Sequence, residues 1–243
     1  MISRKELHKK TLPEHKKIFV KTDVVSYYLW RPICDYLTIL LLDSSVSPTG
    51  ITILSFYSCI LAMIMFVGVP GVKGALLGYF FYWVWNIADG VDGNLARYRD
   101  QCTKSGDLWD AVAGYMAMVV FYLGAGVVAA KEASRIPIVA ISPDIYVLMG
   151  AIASICTIFP RLATQKKESV YGKDVVKGLK DRSYFDWKKK IAVNLISING
   201  FAGMMFLISI ITRTVNYFIT VYFFIMLLFG AFSLYSVMRK LKE

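Results

Sequence analysis

Apolar residues run through this sequence in long blocks, separated by short polar, basic or glycine-containing stretches. Blocks occupy 51–69, 74–96, 106–130, 144–160, 191–212 and 214–238. Each has about the 17 to 25 residues that an α-helix needs to cross a bilayer. The pattern predicts an all-α integral membrane protein with six transmembrane helices. Ahead of them, 20–42 mixes apolar residues with Lys21, Asp23, Arg31, Pro32 and Asp35, which are unfavourable at mid-bilayer depth. That stretch reads as an N-terminal amphipathic interfacial helix, bent at Pro32. The chain thus divides into a basic segment with its interfacial helix, 1–45, and a six-span domain, 46–243.

Composition narrows the class further. Of 243 residues, 56% are hydrophobic and only 19% charged, and the mean hydropathy is +0.52, which excludes a disordered, collagenous or disulfide-stapled protein. Cys34, Cys59, Cys102 and Cys156 form no CxxC or Cys/His cluster, so no zinc site is expected. The polar, basic start of the chain lacks the apolar core of a cleavable signal peptide. Charge gives the orientation. Of 28 Lys and Arg residues, 24 fall before the first span, in 97–104, in 161–190 or at the C-terminus, leaving Lys73, Lys131, Arg135 and Arg213 for the other side. The positive-inside rule then predicts a multi-pass cell-membrane protein with both termini cytoplasmic. The same asymmetry accounts for the net charge of +11 without nucleic acid. Residues 173–190, with Tyr184, Phe185 and Trp187 among the charges, read as a segment docked on anionic lipid. Gly74 and Gly78 are read as ordinary packing positions, and His8 and His15 are assigned no catalysis.

The chemistry concentrates where acids meet the membrane border. Asp89 and Asp92 close one span and Asp107 and Asp110 open the next, so a short hairpin brings carboxylates together. Spacings of three put Asp89 with Asp92, and Asp107 with Asp110, on shared helix faces. Converging carboxylates near lipid either protonate or bind cations, and an oxygen-only ligand set suits Mg²⁺, Mn²⁺ or Ca²⁺. Gly90, Gly93 and Gly106, with the small Ala96, leave room for a substrate phosphate, which Arg97 is positioned to pair with. Asp100 reads as a solvated loop residue.

This pattern resembles the signature of the CDP-alcohol phosphotransferase family, D-x-x-D-G-x-x-A-R, eight residues, G-x-x-x-D-x-x-x-D. Asp89, Asp92, Gly93, Ala96, Arg97, Gly106 and Asp110 stand at the matching positions. Pro48-Thr49-Gly50-Ile51-Thr52 is similar to the family's Pro-Asn-x-x-Thr element, with Thr49 for Asn. The resemblance implies a transferase that moves a phospho-alcohol from a CDP-linked donor to an acceptor hydroxyl and releases CMP. It further implies one or two Mg²⁺ or Mn²⁺ ions on Asp89, Asp92 and Asp110, a nucleotide framed by Pro48, Thr49, Thr52, Gly93, Ala96 and Gly106, and a homodimer. An acceptor with its own phosphate would meet Arg161 and Lys166, with Lys167 a weaker candidate.

One signature position departs: the final Asp is Gly114. In the family that carboxylate is similar in role to a general base and helps hold a second ion. Three accounts stay open: a base from another element, an acceptor that needs little deprotonation once metal-bound, or a protein that binds nucleotide and metal without turnover. A channel or transporter running along the acids is the remaining rival, weakened because transport sites lie near the midplane.

Overall fold

The computed structural model describes residues 2–12, 17, 20–132, 141–172 and 185–239. The described residues are helical, without strands. In chain order the helices are α1 (Arg4–Thr11), α2 (Arg31–Leu41), α3 (Pro48–Gly68), α4 (Gly71–Tyr98), α5 (Lys104–Glu132), α6 (Pro143–Tyr171), α7 (Trp187–Ile196), α8 (Phe201–Thr212) and α9 (Val215–Arg239). By length and apolar composition α3, α5, α6 and α9 can cross a membrane, and α7 with α8 makes a fifth crossing if their 46° bend is one broken span. The expected count of six therefore turns on α4, whose 28 residues suffice in length. Its glycines, aromatic residues and terminal acids keep it below the apolarity of the others.

At Pro32 the chain stays helical: a π-helical turn, Ser26–Trp30, runs into α2 with Arg31 helical and its N–H bonded to the Ser26 carbonyl. The wider turn accommodates a residue that lacks an N–H and crowds the carbonyl of the preceding turn. The helix that carries the fourth span runs on past 160 to Tyr171. Pro160 lies inside α6, and Gly230 of α9 packs against the Cys156 carbonyl that Pro160 cannot bond.

Glycine notches hold the bundle together. A β-carbon on Gly78 or Gly124 would lie 2.4 or 2.5 Å from the Phe66 ring. The ring, 1% exposed, is therefore inserted from α3 between α4 and α5. Gly126 and Gly150 bring α5 and α6 into backbone contact, where a β-carbon on either would meet a main-chain carbonyl at 2.5 Å. Gly78 is thus a packing position, as read from sequence. Around Phe66 lies an aromatic core of Tyr79, Tyr82, Phe121, Phe206 and Phe218, with Phe206 and Phe218 stacked at 5.2 Å. At one end Lys131 Nζ donates to the Phe66, Val67 and Val69 carbonyls, tying α5 to the end of α3.

The opposite end carries the site. Lys10 Nζ of α1 donates to the Tyr98 carbonyl at the end of α4. Arg99 folds back on the α2–α3 loop, donating to the carbonyls of Leu41, Leu42, Ser44 and Val46 at 2.6–2.9 Å. The break at 197–200 is pinned from the N-terminal region, where the Ser197 hydroxyl donates to Asp23 and Asn194 bonds the backbone at Thr22 and Val24.

Candidate active site at the α4–α5 hairpin

Local signals aim the acids. Ser47 accepts from the Gly50 N–H to cap α3, and Pro48 follows at its first position, where a missing N–H is harmless. Thr103 accepts from the Gly106 N–H at 3.0 Å, starting α5 so that Asp110 projects from its second turn. A β-carbon on Gly106 would lie 3.8 Å from the Thr49 hydroxyl, so these two expected nucleotide residues meet across the helix starts.

Asp89 of α4 lies within hydrogen-bonding reach of Asp110 of α5, with Asp92 and Arg161 also acting on its charge. Asp92 is 4% exposed. The Thr52 hydroxyl stands beside its carboxyl while itself bonding the Pro48 carbonyl at 3.2 Å, and Asp92 Oδ2 is buried with no hydrogen-bond partner. Asp110 is exposed, as is Asp107. Among the described residues no three His, Cys, Asp or Glu side chains are gathered as a ready ion cage. The donor set still fits a hard divalent cation: carboxylate oxygens from two helices, one of them buried and unsatisfied, which is unfavourable by about 1–3 kcal/mol or more until it is bound.

The glycines divide in role. Gly90 was expected to leave room for substrate, but a β-carbon there would lie 2.5 Å from the Cys34 sulfur, so Gly90 seats α2 against α4. Gly93 lies under the Arg97 guanidinium, whose nitrogens are 3.1 and 3.2 Å from the position a β-carbon would take. Arg97 donates to the Asn94 side chain at 3.3 Å, and Ala96 beside it is half-buried.

The cations after the fourth span separate. Arg161 stacks over the Tyr115 ring at 5.3 Å, and its guanidinium would sit 3.8–3.9 Å from a β-carbon on Gly114. It therefore borders the position where the signature carboxylate is missing. Lys166 is exposed and Lys167 is buried. Lys167 is corrected to a structural residue, since its Nζ donates to the Val237 carbonyl at 2.7 Å and caps α9. His15, Tyr184 and most of 173–190 lie outside the described residues.

Sequence reasoning missed Asp35. Its side chain is 1% exposed and holds Arg4 at 2.8 Å, His8 at 2.7 Å and Arg31 at 3.7 Å. It also accepts from the Asn94 amide at 3.3 Å. The i,i+4 spacing of Arg31 and Asp35 is the signal that could have found part of it. His8 thus docks α1 on α2 through Asp35.

A comparison with curated proteins returns no match to the chain. The profile of the CDP-alcohol phosphatidyltransferase family matches residues 45–231, a region containing every signature residue, both hairpin helices and Arg161, and the chain belongs to that family.

Proposed function

We propose that this protein is a membrane transferase that moves a phospho-alcohol group, phosphatidyl or another substituted phosphate, from a CDP-linked donor to an acceptor hydroxyl with release of CMP. The observation that carries the reading is the approach of Asp89 to Asp110 across the hairpin, with Asp92 acting on the same charge and its Oδ2 buried and unsatisfied. Asp89, Asp92 and Asp110 would hold one or two Mg²⁺ or Mn²⁺ ions, which supply charge neutralisation for the diphosphate and for the departing CMP. Arg97 takes a phosphate oxygen over the bare backbone of Gly93. Pro48, Thr49, Thr52, Ala96 and Gly106 frame the nucleotide, a role supported by the Thr49 hydroxyl facing the bare α-carbon of Gly106 and by the Thr52 hydroxyl beside Asp92. Arg161 and Lys166 are the candidates for a phosphate carried by the acceptor, and Arg161 acts on the charge of Asp89. Gly114 offers no side chain to take the acceptor's proton.

The chain crosses the membrane six times in this reading, with α4 one crossing and both termini and the site cytoplasmic. Exposed apolar side chains on the spans, among them Leu54, Phe80, Ile155 and Leu228, face lipid, as does the stripe Leu29, Ile33, Tyr36 and Leu40 of the interfacial segment. Membrane lipid is the standing partner and a homodimer the expected assembly. A second reading, nucleotide and metal binding without turnover, is favoured by one observation: a cation, Arg161, borders position 114 where the family has its carboxylate.

The test is CMP release by the purified protein with labelled CDP-linked donors and Mg²⁺ or Mn²⁺. Metal-dependent release that D92N abolishes supports the transferase. CMP binding without release across a broad panel of acceptors supports the second reading, and loss of both refutes the assignment.

A further inference from the structure

Arg31 lies outside the region matched by the family, in the N-terminal segment that precedes it. Its Nη2 donates to Asn94 Oδ1 at 3.3 Å, and Arg97 Nη2 donates to the same oxygen, also at 3.3 Å. Two guanidiniums, one from α2 and one from α4, thus share a single neutral acceptor. Their charges oppose each other, and each has its Nε–H buried without a hydrogen-bond partner.

The nearby anions do not balance this arrangement. Among the described residues Asp35 is the one carboxylate within ion-pair distance of Arg31, at 3.7 Å, and it already holds Arg4 and His8 at closer range. Arg97 makes no ion pair among the described residues, although Asp92 and Asp110 act on its charge from farther off. Unpaired donors of like charge, largely removed from water, are unfavourable unless an anion joins them. The guanidinium fork is the donor shape that fits phosphate oxygens. The place also fits, because Arg97 overlies Gly93, the residue next to Asp92.

We infer that Arg31 and Arg97 form a two-arginine phosphate clamp, so that the N-terminal helix α2 supplies part of the substrate site. The inference rests on the transferase reading above and extends it to a residue outside the signature. The phosphate is either the outer phosphate of the CDP group or one carried by the acceptor. Asn94 and Asp35 are positioning residues, the first holding the two forks in register and the second orienting Arg31.

The experiment measures binding of CMP, CDP and inorganic phosphate to the full-length protein by calorimetry at fixed Mg²⁺, with phosphate titrated in the presence of CMP. Arg31→Gln removes donors that each carry a charge-assisted hydrogen bond, so a loss of about tenfold or more is expected on one arm. If the clamp holds the donor, CDP weakens by that factor and CMP does not. If it holds the acceptor, phosphate weakens while CDP and CMP are unchanged. Either outcome supports the clamp. A merely structural role for Arg31 would weaken CMP and CDP alike, leave their ratio at the wild-type value, and overturn it, as would no change on any arm. Should Arg31→Gln fail to fold, Arg31→Lys, which keeps the charge but loses the fork, decides by the same measurements: a weakened arm supports the clamp and wild-type affinities overturn it. Wild-type protein that binds neither CMP nor CDP would overturn the transferase reading itself, and the clamp with it.

Discussion

An aspartate introduced at position 114 would enter space that the backbone leaves open. The nearest atoms to a β-carbon there are the two terminal nitrogens of Arg161, at 3.8 and 3.9 Å, which is ordinary contact. Replacing a mid-helix glycine by alanine gains about 1 kcal/mol, and by aspartate roughly half as much. A carboxylate one bond beyond that β-carbon reaches Arg161, an exposed partner, for a further ~0.2–1 kcal/mol. The like charge of Asp110, one turn earlier, offsets these gains until a cation binds, so G114D should fold with a stability that rises on adding Mg²⁺, while G114A should be about 1 kcal/mol more stable than the wild type, as read by thermal unfolding in detergent. The kinetic effect is much larger. A positioned general base contributes about 10²–10⁴ in rate, so if the missing carboxylate limits proton removal, G114D should release CMP at least about a hundredfold faster while G114A stays at the wild-type rate. A folded G114D protein that turns over no faster than the wild type would refute this reasoning. It would show that another element removes the proton or that none needs removing.

Other changes test the fold that carries the site. G78A or G124A drives a methyl group to 2.4–2.5 Å from the Phe66 ring and should destabilise the protein by about 1–3 kcal/mol; the F66L background should relieve much of that loss in a double-mutant cycle. K167M removes the donor at the Val237 carbonyl, so amide exchange in the last turn of α9 should accelerate, with a stability loss of about 1.5–3 kcal/mol. D35N strips the counter-ion from Arg4 and Arg31 and should lower stability by roughly 3 kcal/mol, with limited proteolysis attacking α1 first. Unchanged protease sensitivity in D35N would mean that α1 is held mainly by its buried Leu7.

How much of this was legible in the sequence depended on whether the signal was local. Long apolar blocks marked helices because a span must satisfy its own backbone, and the observed bounds lie within a few residues of most of those blocks. The pairing of Asp89 with Asp92 was legible because a three-residue step shares a helix face, and the approach of Asp110 because the connection between the two helices is short. What failed to show was set by partners distant in sequence. Gly90 looked like substrate space, yet its neighbour is Cys34 from the preceding segment. Lys167 looked like an anchor or an anion ligand, and its partner is a carbonyl 70 residues away. The span 191–212 reads as one apolar block, but its break is held by Asp23 and Asn194. The continuation of the helix through Pro160 has no local signal, because the compensating approach of Gly230 comes from another helix.

The tripeptide Arg97-Tyr98-Arg99 holds two arginines that sequence alone would treat as equivalent. Arg99 saturates its fork on four main-chain oxygens of the loop that joins α2 to α3. It is masonry, its two terminal nitrogens turned to the main chain, and it fastens the signature helix to the segment that bears Arg31. Any tilt of α4 on loading must therefore drag α2 along, so the N-terminal region should report occupancy of a site that lies mostly outside it.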